Sequence, residues 1–123
     1  MLEEFQKPHN LTVSQYAKLA GVSRQQIYKD LGAEFPKLLA LSVRKAGQRL
    51  PDWQLEDRPR ELTQLVMHAA PELDGWTLYN ALGSPSGALE GRAPVDAVKL
   101  KDQAVESLAT LVLEELGIRA EPA

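Results

Sequence analysis

Three observations predict an all-α fold. Apolar residues recur at helical spacing over long stretches, capping side chains stand where those stretches begin, and no β-branched run alternates long enough to read as a strand. The chain has 123 residues, 44% of them hydrophobic. That suits one domain of ordinary size, or two small ones sharing a core, and excludes a barrel or a doubly wound enzyme of usual length. It contains no cysteine, which removes disulfides, thiolate metal sites and cysteine nucleophiles together.

The elements follow in order. The opening segment MLEEFQKPHN has two acids and no apolar block, so it reads as a mobile arm and not as a signal peptide. Leu11 to Ala20 is the first helix, with Thr12 as cap and Gln15 completing a capping box. Gly21-Val22 breaks it; Ser23 caps a second helix, with Gln26 in the same box position, which stops at Gly32. A third helix is expected from about Phe35 to Leu50, opened by Pro36, with Leu39, Val43, Ala46 and Leu50 as its stripe and Leu38 and Leu41 outside it. Residues 51–58 (PDWQLEDR) read as a polar linker. Asp57 and Pro59 open a fourth helix to Ala70, and Leu73 to Leu82 forms another. Residues 83–94 are rich in Gly and Pro and read as loop, with one turn around Ala88-Leu89. Pro94 opens a short helix, and Asp102 caps a last long one ending at Gly117. This divides the chain into a helix-turn-helix region (1–50), a linker (51–58) and a helical C-terminal domain (59–123).

Charge is unevenly distributed. Residues 7–50 hold eight Lys/Arg and two Asp/Glu, whereas residues 61–123 hold four and ten. A basic segment joined to an acidic one points to two kinds of partner, with a polyanion the natural partner of the first.

The most specific local pattern is TVSQYAKLAGVSRQQIYKDL, residues 12–31. Ala17 is small where two helices must approach, Gly21 suits the turn, and Tyr16, Ala20, Val22 and Ile27 are available to seal the angle. Ser23, Arg24, Gln25, Tyr28 and Lys29 are left facing outward, all able to donate and without an acid before Asp30. Such a set suits a recognition helix, with Arg for guanine, Gln for adenine, and Lys and Tyr for phosphate. The phrase A-x-x-A-G-V-S-x-x-x-I-Y (residues 17–28) resembles helix-turn-helix regulators of the MerR-like, excisionase-like and transposon-linked kinds.

A second pattern spans residues 76–117, with Ser84-Pro85, Leu89, Gly91-Arg92, Pro94, Asp96 and Val98 in fixed order ahead of an amphipathic closing helix. It resembles the toxin-binding domain of the Xre/MbcA/ParS antitoxin family. The resemblance implies a cognate toxin of the RES type, which acts on NAD⁺, blocked by occlusion of its active-site entrance. Carried onto this sequence, it implies toxin contacts at Arg92, Leu111 and the tail from Ile118 to Ala123, Arg119 included. In the last helix Val105, Leu108, Ala109, Val112 and Leu116 form a core stripe, while Leu111 and Leu113 lie off it, to be covered either by a partner or second subunit or by a neighbouring helix of the same chain.

The expected protein is therefore a cytoplasmic, homodimeric antitoxin that represses its own operon by binding operator DNA. The alternatives are a helix-turn-helix regulator whose C-terminal half only dimerises, and an interaction module with a vestigial helix-turn-helix. No apolar run is long enough to span a membrane. His9 and His68 belong to no metal pattern, and neither a phosphate loop nor a nucleophile elbow is present, so no enzyme activity, catalytic residue, metal or cofactor is expected.

Overall fold

The computed structural model describes residues 2–44 and 46–118. Its elements are α1 (Leu2–Phe5), β1 (Asn10–Thr12), α2 (Val13–Ala20), α3 (Arg24–Leu31), β2 (Leu41–Val43), β3 (Gly47–Pro51), α4 (Asp57–Ala69), α5 (Gly75–Gly83), α6 (Pro94–Ala97) and α7 (Val105–Glu115), with turns of 3₁₀ helix at Asp52–Leu55 and Gly87–Leu89.

The all-α expectation is corrected by a three-stranded antiparallel sheet in the order β1-β3-β2. The stretch read as a third helix is a hairpin. Leu41 pairs with Arg49 and Val43 with Gly47, and Leu11 pairs with Leu50 on the other side of β3. The Ala46 amide donates to the Val43 carbonyl at 2.9 Å, and Gly47 follows at φ +86°. A short loop closed by a left-handed glycine is a favoured hairpin connection. The helical stripe dissolves: Leu38 and Leu41, placed outside it, are buried, whereas Ala46 is exposed.

The helix-turn-helix forms as its caps dictate. Thr12 accepts from the Gln15 amide while the Gln15 side chain accepts from the Thr12 amide, a complete capping box. Gly21 ends α2 at φ +72°. Ser23 accepts from the Gln26 amide at 3.0 Å, but the Gln26 side chain turns away to Asp30. Val13, Tyr16, Ala17, Ile27, Leu38 and Leu50 form a small core beneath these helices. Ala20 and Val22, expected to seal the angle, are instead exposed.

A second core joins α4, α5, α6 and α7, and it also takes Phe5, Leu39 and Leu41 from the other half. Residues 51–58 are no free linker. Gln54, within the 3₁₀ turn, is fully buried. Its Oε1 accepts from the Leu39 amide at 2.6 Å and its Nε2 donates to the Leu39 carbonyl at 2.9 Å. Its own carbonyl accepts from the Tyr16 hydroxyl and from Arg60. Its side chain thus takes the place of a missing strand partner for the 32–40 connection, while its backbone carbonyl joins α2 to α4.

Candidate functional site

All five residues expected at a nucleic-acid interface stand at the surface of the chain. Ser23, Arg24, Gln25, Tyr28 and Lys29 are exposed, while Ile27 between them is 1% exposed and anchors α3 to α2. Tyr28 is 48% exposed, a large aromatic ring offered to solvent beside two cations. None of Arg24, Tyr28 or Lys29 takes part in a salt bridge or side-chain hydrogen bond among the described residues, whereas the Ser23 hydroxyl is committed to its cap. The connection after α3 is held from both ends: the Lys37 amide donates to the Asp30 carbonyl, and Gln64 donates to the Lys37 carbonyl. His68, at the end of α4, meets the Pro36 carbonyl at 2.8 Å. The hairpin, unseen in the sequence, adds an exposed Arg44 next to its tip. Arg49 is spent internally, donating to the Asn10 carbonyl and lying over the Phe5 ring.

The residues inferred for partner binding divide. Arg92 and Leu111 line one groove of about 410 Å³, between the 87–92 turn, the 97–103 segment and the start of α7. Ile118 lies elsewhere, partly buried against the large core, with its amide donating to the Leu113 carbonyl. Leu113 is core as well. Arg119 and the rest of the tail lie outside the described residues.

The N-terminal arm, expected to be mobile, is docked. Tyr79 on α5 donates to the Glu4 carboxylate. Its oxygen accepts from Asn10 Nδ2 at 3.2 Å, and His9 Nε2 lies 2.7 Å from it. Trp53 stacks on Tyr79 with ring centroids 5.5 Å apart. Burial, followed by the hydrogen bond to Glu4, pushes the Tyr79 phenol up to about 12. The same bond, helped by Lys7, holds the Glu4 carboxyl below its ordinary range. A cleft of about 600 Å³ opens beside this cluster, walled by Trp53, Tyr79, Pro85 and Lys99 among others. Sequence reading missed both cluster and cleft, because their parts come from opposite ends of the chain.

Among the described residues no group of three His, Asp or Glu is arranged to hold a metal ion, and no helix is long and apolar enough to cross a membrane. Comparison with family models, curated proteins and solved structures found no match to this chain.

Proposed function

We propose that this chain is an antitoxin and autoregulator of the cytoplasm. Its helix-turn-helix binds operator DNA, and its C-terminal half binds and occludes a RES-type toxin. The observation that carries the proposal is the outward face of α3, with Arg24, Gln25, Tyr28 and Lys29 exposed around the buried anchor Ile27. Arg24 and Gln25 lie in the first turn, where a recognition helix reads base edges; Tyr28 and Lys29 lie a turn later, within reach of phosphates. The net charge of +6 over residues 7–50 supplies the long-range attraction. Two copies placed about one turn of DNA apart would read a two-fold operator.

The partner half of the proposal is supported by Arg92 and Leu111 meeting at one groove. Occlusion there is steric and electrostatic, with no bond made or broken by this chain. The test is co-expression with the adjacent open reading frame. The proposal expects the neighbour alone to arrest growth, and this chain to restore growth and co-elute with it. A harmless neighbour that forms no complex contradicts the antitoxin reading and leaves a DNA-binding regulator.

A further inference from the structure

We infer that the groove holding Arg92 and Leu111 takes a short segment of a partner protein in which a large apolar side chain stands next to a carboxylate. The inference rests on the partner-binding half of the proposal above and names the chemistry that half would recognise.

The groove's apolar surface comes chiefly from Leu89, Leu100 and Leu111, above the buried Leu108. Leu100 is 41% exposed, a leucine left in water beside a concavity that other leucines already line. Covering it with a partner's apolar side chain is favourable. Both walls exist before anything binds. Arg58 on α4 donates from Nε to the Val98 carbonyl at 2.6 Å and from its terminal nitrogen to the Gln103 carbonyl, pinning the two ends of the 98–103 segment. On the opposite side Glu90 and Gly91 take successive left-handed conformations, at φ +56° and +81°. They fold residues 86–92 into a turn closed by the Ser86 amide on the Arg92 carbonyl. The Ser86 hydroxyl ties that turn to Glu115 of α7 at 2.8 Å. A groove fixed in this way pays little ordering cost of its own when it is filled.

Charge selects the acid. Among the described residues Arg92 has only a loose ionic contact, 3.7 Å to a Glu90 carboxylate that is 87% exposed. Such a pair holds a guanidinium weakly. A carboxylate delivered against Arg92 from a partly dehydrated segment forms the stronger, forked pair. Glu90 and Asp102 on the groove's lining repel a uniformly acidic segment, so a single carboxylate set against Arg92 is what the lining accepts. Glu90 and Asp102 together also disfavour nucleic acid here.

The experiment is selection of a phage-displayed library of random peptides on the full chain. Selected peptides are then measured by fluorescence anisotropy on wild type, Leu111→Arg, Leu100→Ser and Arg92→Glu, each checked for folding by circular dichroism. The expected consensus is a large apolar residue beside Asp or Glu, weakened about tenfold or more by Leu111→Arg. Leu100 is exposed, so Leu100→Ser keeps the test informative if Leu111→Arg does not fold, and it should weaken the same peptides. Selection on Arg92→Glu should replace the acid with Lys or Arg. The inference is overturned if no peptide is enriched, if the groove variants bind the peptides unchanged, if Arg92→Glu selects the same acidic set, or if Leu111→Arg dissolves a dimer of this chain that occupies the groove. Peptides that dock as expected beside a harmless neighbouring gene product would sustain the groove and remove only the toxin.

Discussion

The two halves of this chain are held together by different means. Beneath the helix-turn-helix lie six buried apolar side chains among the described residues; the C-terminal core has nineteen. The smaller core is completed by a polar group, the Gln54 side chain bonded to both backbone groups of Leu39. The larger core takes Phe5, Leu39 and Leu41 from the other half. The small core therefore depends on directed hydrogen bonds beside its few apolar side chains, whereas the large one buries far more apolar area. The outer surfaces differ to match, with a polar, cationic helix face on one half and a leucine-lined groove on the other.

The sharpest way to break the comparison is Gln54→Leu. It leaves two buried backbone groups of Leu39 without partners, at about 1–3 kcal/mol each. The expected loss is about 4 kcal/mol by urea denaturation, and DNA binding is lost with it. Leu62→Ala, in the fully buried centre of the large core, is expected to cost about 3 kcal/mol. Because Phe5, Leu39 and Leu41 share that core, both halves should then melt together, as followed by near-ultraviolet circular dichroism.

Arg24→Ala should leave stability almost unchanged and weaken operator binding by about 1–3 kcal/mol, most strongly at one base pair. The smallest effect is at high pH. The Tyr79 phenol is raised from 10 to about 12 by burial and then by its bond to Glu4. Its neutral form is favoured in the folded chain, so the stability it contributes is complete below pH 10 and is lost as pH rises toward about 12. Glu4, held below its ordinary value, has the opposite dependence: its contribution is present above the ordinary carboxylate range and is lost as pH falls through the lowered value. Tyr79→Phe should reduce both the alkaline and the acid loss in urea midpoints.

What the sequence reveals follows from what is local. The caps at Thr12 and Ser23, and the face Ser23-Arg24-Gln25-Tyr28-Lys29, depend on residues within a few positions of one another, and they are legible. Leu39, Val43, Ala46 and Leu50 fit a helical period, yet Leu41, Ser42 and Val43 equally fit an alternating one over a run too short to discriminate. The deciding partner is the distant strand Asn10–Thr12, which pairs with β3. Tertiary context thereby overrides local preference. Gln54 reads as a linker residue because its role depends on Leu39, Tyr16 and Arg60. The groove was half legible, through Arg92 and Leu111; its opposite wall depends on Arg58, whose partners lie far along the chain.

The central claim is that α3 binds DNA independently of the C-terminal groove. The most direct test is fluorescence anisotropy of the chain's own upstream DNA over a range of salt, for wild type, Lys29→Ala and Leu111→Arg. The account predicts affinity that falls steeply with salt, a slope reduced by about one for Lys29→Ala, and no change for Leu111→Arg. Binding that is absent, insensitive to salt, or lost with Leu111→Arg would contradict it.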